Sequence, residues 1–255
     1  MASSADFSVP RIGADSGFNN YILRAIDDEA REFLRPRLIA RELRSGEVVL
    51  ERGARPDHAI FVESGVISIM SPMENGRMIE KVSVGMETYF GFPLALGIPD
   101  FMAPNACIVQ VPGTALLLPI ADLRESLVRF PSLMTTTQRS AFALLQQTMQ
   151  AVACTSLHSA TQRISRWLLL AHDRCHSDEL HLTQQALSDI LGLRRATVSN
   201  ACSEIQSAGV IAYKRGSIVV LDRAKLESLA CECYRQAWRA GQLPLQLAEQ
   251  ERRAS

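Results

Sequence analysis

The sequence predicts an α+β chain in three successive parts: a β-rich layer of sandwich or barrel type, one long helix, and a helical hairpin followed by a two-stranded ribbon. Three observations carry this. Between Leu38 and Leu118 short apolar runs recur ("EVVLE", "HAIFVES", "GVISIM", "MIEKVSV", "ACIVQV", "TALLL"), punctuated by glycines at 46, 53, 65, 76, 85, 91 and 113. Short β-rich runs between turn signals belong to all-β layers. Over residues 132–156 the apolar spacing becomes three and four, which is helical. From Leu182 onward two helical segments meet at Gly192, and two β-rich runs flank the basic tip "KRGS".

The elements follow in order. Residues 1–17 are rich in Ser, Ala, Gly and Asp and are expected to be a loose tail. Tyr21 to Arg35 reads as a short helical pair, with Asp27 as a new N-cap and Pro36 as a stop. The β-rich segment belongs to a domain over 18–130; its Asn75-Gly76 pair signals a hairpin. "ADLRESLVRF" is a short helix ending before Pro131. The long helix, 131–156, carries Phe142, Leu145, Met149 and Val152 at spacings of three, four and three. That is a short coiled-coil seam. Ala141, Leu144 and Ala151 widen its apolar face, which favours a homodimer over packing within one chain. The third part, 157–240, is mostly helical up to Ile211, then forms the ribbon "VIAY"–"KRGS"–"IVVL" and a last helix capped by Asp222. That helix has the stripe Leu226, Leu229, Ala230, Cys233 and Ala237, and 241–255 is expected to be a tail.

Composition bounds the function. The chain has 255 residues, 47% of them hydrophobic and 21% charged, with net charge zero. It is long and apolar enough for a packed core. Neutrality argues against a generally basic coat but leaves room for a local basic patch. No apolar run looks like a signal peptide or a membrane span, so a cytoplasmic location and no membrane partner are expected. Six dispersed cysteines without a CxxC read as reduced thiols, not a disulfide framework.

The stretch "LTQQALSDILGLRRATVSNACSEIQSAGVI" points to DNA. Thr183 is an N-cap, with Gln184 and Gln185 in the first turn and Leu182 and Leu187 as a hydrophobic staple. The first helix runs to about Leu191. Gly192 supplies the turn, because glycine takes left-handed angles cheaply. The second helix runs from about Arg195 to Ala208. On a wheel of 3.6 residues per turn, Val198, Ala201 and Ile205 share one face, with Cys202 at its edge. Ala196, Ser199, Asn200, Ser203 and Ser207 lie opposite, flanked by Arg195; Arg194 and Thr197 complete the first turn. Small residues admit a helix to the major groove, Arg grips guanine, and Asn and Ser reach other base edges. Lys214 and Arg215, on the ribbon tip, sit where a wing would touch phosphate.

Here the chain resembles the Crp/Fnr family of bacterial transcription regulators. The resemblance spans about residues 20–222 and rests on "VESGVISI", "YFGFPLALGIP" and the helical hairpin just quoted. It implies a β-roll sensor (a double-stranded jelly roll), a dimerisation helix and a winged helix-turn-helix. It also implies homodimers on near-palindromic double-stranded DNA and a contact with RNA polymerase. Two departures stand out. The Glu and Arg of cyclic-nucleotide binders are missing: Phe92 and Pro93 follow the "FG", Asp100 follows Pro99, and no Arg lies between Gly91 and Cys107. An anionic phosphate needs a cation or a cluster of N–H donors, and Asp100 would repel it. The expected pocket is lined by Tyr89, Phe92, Leu94, Leu96, Ile98, Phe101 and Met102, is filled by its own side chains, and does not take cyclic AMP. Second, Ala196 stands where many members read a base with Glu, so the preferred DNA sequence is expected to differ.

Rival chemistries lack residues. An iron–sulfur centre wants grouped cysteines, and the first hundred residues have none. His58 in "PDHAIF" is the one histidine of the β-rich segment, too few ligands for a cupin-type metal enzyme, and reads as a strand-end residue before it reads as a haem ligand. "AHDRCHSDELH" places His172, Cys175, His176 and His181 close in sequence but fixes no fourth ligand. Cys231 and Cys233 would point to different faces if both lay on one helix. No nucleophile elbow or phosphate loop appears. Neither a metal nor a cofactor is expected, and the chain reads as a regulator instead of an enzyme.

Overall fold

The structure, a computed structural model, describes residues 17–98 and 100–254. The segment read as an N-terminal tail therefore lies outside the described residues but for Gly17. Two short helices come first, α1 (Tyr21–Ala25) and α2 (Asp28–Leu34), each started by its own side-chain cap. Asn20 Oδ1 accepts from Ile22 N at 3.1 Å, and Asp27 Oδ1 from Ala30 N at 2.8 Å. Such caps satisfy amides that a helix start leaves unpaired. The Asn20 amide group also donates to the carbonyls of Val62 and Thr88, at 3.0 and 2.9 Å, which pins this entry segment to the sheet behind it.

The β-roll contains β1 (Ile39–Leu43), β2 (Val48–Leu50), β3 (His58–Pro72), β4 (Met78–Val84), β5 (Tyr89–Phe90) and β6 (Ala106–Pro119). Its sheet is antiparallel in the order β1-β6-β3-β4, with β2 also on β6 and β5 also on β3. The Asn75-Gly76 turn links β3 to β4, with Gly76 at φ 77°. The structure corrects one detail of the strand count. "HAIFVES" and "GVISIM" are one strand, and so are "ACIVQV" and "TALLL". Gly65 and Gly113 do not end strands; they allow two bent strands to touch. A Cβ on Gly65 would meet Val111 O at 2.7 Å, and one on Gly113 would meet Ser64 O at 2.2 Å. The register shifts around this point, as expected of β-bulges.

After α3 (Phe92–Ala95) and β6, α4 (Ile120–Arg129) leads into α5 (Pro131–Leu157), which is 27 residues long. At about 1.5 Å per residue it spans roughly 40 Å. Leu133, Ala143 and Leu144 are buried on its inner side. Leu144 therefore packs into its own chain and does not widen the outer seam.

The third part holds α6 (Ala160–Cys175), β7 (Glu179–Leu180), α7 (Gln184–Leu191), α8 (Arg195–Ser207), β8 (Ile211–Lys214) and β9 (Ser217–Val220). Strand β7 joins the predicted ribbon to give the order β7-β9-β8. The last predicted helix is in fact two: α9 (Arg223–Leu229), capped by Asp222, and α10 (Cys233–Ala254). The supposed tail 241–255 is thus helical as far as Ala254. Gly241 and Pro244 have the character of helix breakers, yet both lie buried where α10 packs on α5 and α1. A Cβ on Gly241 would come within 3.2 Å of the Glu87 side chain, so glycine serves close packing there.

A buried charge pair joins the parts. Arg174 of α6 ion-pairs with Glu87, its Nε 3.3 Å from Glu87 Oε2, and its Nη1 donates to Ser83 Oγ at 2.8 Å. Gly85 leaves room for it: a Cβ there would lie 2.4 Å from Arg174 Cδ.

A second contact of this kind has a pH consequence. Glu80 of β4 accepts hydrogen bonds from Ser68 and from Trp167 Nε1, the latter at 3.3 Å. Desolvation raises its pKa above 4.5, against the lowering effect of Ser68, Arg174, Arg166 and Trp167. A carboxyl raised in the folded state binds more protons folded than unfolded, so stability falls as pH climbs from 4.5 through the raised value. Glu80→Gln removes that fall. Denaturant melts should show the variant matching the parent below 4.5 and exceeding it near neutrality. The gain should be about 1.4 kcal/mol for each tenfold by which folding tightens the hold of this carboxyl on its proton.

Candidate functional site

The helical hairpin is built from its caps. Thr183 Oγ1 accepts from Ala186 N at 3.1 Å and starts α7. Gly192, at φ 66° and ψ 22°, ends it. Arg163 of α6 donates to Leu191 O at 2.6 Å, which satisfies a carbonyl at the helix end. The turn also leans on the β-roll: Arg77 Nη2 donates to Leu193 O at 3.1 Å, and Ile79 lies within reach of Gly192.

Helix α8 divides as the wheel requires. Val198, Ala201, Cys202 and Ile205 are buried, and Cys202 belongs fully to that core face. Burial raises its thiol pKa to about 11, so Cys202 stays a neutral packing group. Arg194, Arg195, Ala196, Thr197, Asn200 and Ser203 are exposed, and Ser199 is half-buried. Thr183 is exposed beside them, with Gln184 and Gln185 half-buried. Lys214 and Arg215 are exposed at the β8–β9 tip, where Gly216 takes φ 81°. One pairing was not visible in the sequence. Gln185 donates to Asp189 at 2.7 Å, and Arg195 Nε donates to Gln185 Oε1. The two helices thus hold Arg195 across the hairpin through uncharged Gln185.

The β-roll carries a half-open cavity of about 620 Å³. That size suits a small molecule, and it overturns the expectation of a pocket filled by its own side chains. Phe92, Ile98, Phe101 and Met102 are among the residues that line it. Tyr89, Leu94 and Leu96 are not. Tyr89 is buried and stacks on Phe61 at 5.0 Å, Leu94 packs in the core, and Leu96 is 53% exposed. The remaining wall comes from residues far from the "FG" motif, including Arg41, Val49, Arg55, His58 and Cys107. Asp100 is absent from it and sits 3.7 Å from Arg124. Cations therefore do reach the cavity, from β1 and the β2–β3 loop, but Arg41 is already ion-paired with Glu47. His58, a strand-end residue as expected, faces this space. The pKa of Cys107 is raised by desolvation to about 12, which keeps the thiol neutral.

The cluster around His172 does not assemble. His172 Nε2 is 2.8 Å from Asp178 and Nδ1 is 2.7 Å from Arg223, while His176 forms the left-handed cap of α6.

Residues 40–129 match the cyclic nucleotide-binding domain family, and residues 162–229 match the Crp-like helix-turn-helix domain family. The chain thus carries a cyclic nucleotide-binding domain followed by a Crp-like helix-turn-helix domain. Solved structures agree in fold. A chain from Eubacterium rectale described as a Crp/Fnr-family transcriptional regulator superposes with TM-score 0.60 at 17% identity, over 82% of this chain and 98% of that one. A CRP-family transcriptional regulator from Thermus thermophilus gives 0.60 at 19%, over 74% and 96%. FixK2 from Bradyrhizobium japonicum gives 0.59 at 16%, over 76% and 98%. No curated protein sequence matches the chain. Among the described residues no helix is long and apolar enough to cross a membrane.

Proposed function

We propose that this protein is a Crp/Fnr-type regulator that works in the cytoplasm as a homodimer, reads near-palindromic double-stranded DNA without needing a cyclic nucleotide, and acts on RNA polymerase at the bound site. The observation that carries the reading is the division of α8: an apolar face sunk in the core, and an exposed face of Arg195, Ala196, Asn200 and Ser203 beside the basic wing tip. Thr183, Gln184, Gln185, Arg194, Thr197 and Ser199 frame that face. Arg195 is the base reader. Its hold on Gln185 keeps the guanidinium near the groove-facing end, and a guanine edge can replace an uncharged amide at little cost. Two copies would read half-sites about 34 Å apart.

Binding titrations on a selected operator, and on one changed at the contacted base pair, test the assignment. Arg195→Ala should cost about 1–3 kcal/mol on the preferred site and relax selectivity at that pair. Lys214→Ala should weaken all sequences alike and lower the salt slope by about one unit, because it neutralises a phosphate. Equal weakening of both duplexes by Arg195→Ala would make it a phosphate contact.

The dimer reading rests on the outer side of α5. Phe142, Leu145, Met149 and Val152 are 52%, 53%, 60% and 68% exposed within one chain, an apolar row more than half open to solvent. Truncation here spares the monomer core. Phe142→Ala with Met149→Ala should remove up to about 2–5 kcal/mol per side chain from the interface. Light scattering should then report monomers at micromolar concentration with helix content unchanged, and a persisting dimer would place the interface elsewhere.

Independence from cyclic nucleotides rests on the missing Arg between Gly91 and Cys107 and on the ion pair that already engages Arg41 with Glu47, which leaves exposed Arg55 as the other arginine on the cavity wall. Calorimetry with cyclic AMP or cyclic GMP should show no binding in the micromolar range, and micromolar affinity for either would overturn this part.

A further inference from the structure

Three cysteines and a histidine meet where the end of α5 faces the turn between α9 and α10. Cys154 and His158 are four residues apart at the helix end, and so lie on one side of it. Cys231 and Cys233 flank Glu232 in the turn, because the helix breaks at Ala230, which is extended at ψ 155°. The expectation that these two thiols diverge assumed one continuous helix. The break turns both toward α5. All four ligand atoms lie within 4.8 Å of one another. Cys154 Sγ is 3.6 Å from Cys231 Sγ, and Cys233 Sγ is 3.6 Å from His158 Nδ1.

Those separations are the edges of a metal tetrahedron. Bonds of about 2.3 Å to sulfur and about 2.0–2.1 Å to nitrogen place the ligands roughly 3.5–3.8 Å apart. An iron–sulfur cluster would set several irons between its cysteines and spread their sulfurs farther than one ion does. A disulfide would need the two sulfurs at about 2.0 Å. The surroundings also fit a metal. His158 Nε2 is 3.3 Å from the Glu232 carboxylate, and Gln150 Nε2 donates to Cys233 Sγ at 3.0 Å. A carboxylate behind the second ring nitrogen fixes the tautomer that leaves the first free to ligate. The three cysteines are 0%, 3% and 1% exposed and form a core cluster of their own, with no aliphatic residue in it.

We propose that Cys154, His158, Cys231 and Cys233 bind one zinc ion in a closed Cys3His site that clamps the α9–α10 turn to the end of the dimerisation helix. Three thiols give up their protons to solvent on binding, and the neutral imidazole adds its Nδ1 lone pair. The resulting centre carries one net negative charge, and the cations of Arg163 and Arg166 on α6 act electrostatically on Cys154 and offset it. All four ligands come from one chain, so the site does not depend on the dimer or on DNA.

The test uses the full chain, stripped with a chelator under reductant and titrated first with Co²⁺ and then with Zn²⁺. One equivalent of Co²⁺ should give the thiolate-to-metal absorption and visible bands of a tetrahedral site, and Zn²⁺ should abolish both. Elemental analysis should then find one zinc per chain. Glu232→Gln, which leaves every ligand in place, should weaken metal affinity about 10–100-fold. Cys154→Ser and Cys231→Ser should lose stoichiometric zinc, and Cys175→Ser should retain it. A folded parent chain, judged by circular dichroism, that takes up no zinc under these conditions overturns the proposal. So does a Cys154–Cys231 disulfide that persists in reductant, or zinc retention unaffected by both cysteine substitutions. The readout is metal content, so its failure is distinct from any failure in DNA binding.

Discussion

One buried guanidinium holds the three parts of this protein in register. Arg174 reaches from α6 to Glu87 and Ser83 of the β-roll, through the gap left by Gly85. The backbone of Glu87 accepts from Ser140 of α5 at 3.3 Å, and its side chain lies against Gly241 of α10. The β-roll, the long helix α5, the helix-turn-helix unit and the C-terminal helix therefore share one small volume. Desolvating two charges costs energy that their attraction returns only when the remaining hydrogen bonds are made, as they are here. Its value is positional. Apolar packing tolerates a sliding helix, whereas a forked cation with several fixed acceptors accepts one placement.

The rest of the inter-domain contact follows that placement. Trp167 comes down on Glu80, and Val66 and Val111 of the β-roll join the core of the helix-turn-helix unit. At the far end the hairpin turn rests on Arg77 and Ile79. These contacts involve β3, β4 and β6, and β3 also contributes His58, Ile60 and Ile69 to the cavity wall. Ile79 of β4 lies beside the turn at Gly192, and α8 starts just beyond it.

The sequence was most legible where one local rule decides the outcome. Caps at Asp27, Thr183 and Asp222, the turn at Gly192 and the two-faced α8 depend on neighbours within a few residues, so spacing and residue type were enough. It was least legible where the partner is distant in the chain. Gly65, Gly113 and Gly241 look like punctuation, but each makes room for a contact at close range. The segment 241–255 read as a tail, yet packing on α5 carries α10 through Pro244. Arg41 and Arg55 reach the cavity from β1 and the β2–β3 loop, which the "FG" motif does not mark. Tyr89 lies next to that motif but points into the core, because strand neighbours alternate faces. Cys154 and Cys231 are brought together over 77 positions, and no local pattern announces them.

The crossing at Gly65 and Gly113 bears on how this chain can change over time. A crowded pair of side chains can be relieved by shrinking one when the other grows, so most core positions drift together. Here each glycine would collide with backbone oxygens of the other strand, those of Val111 and Pro112 in one direction and of Ser64 in the other. Backbone atoms are common to every residue type. No second substitution makes space for the first, and the only escape is an insertion or deletion that moves the bulge. The two sites are thus mutational dead ends, each closed to exchange whatever its surroundings become.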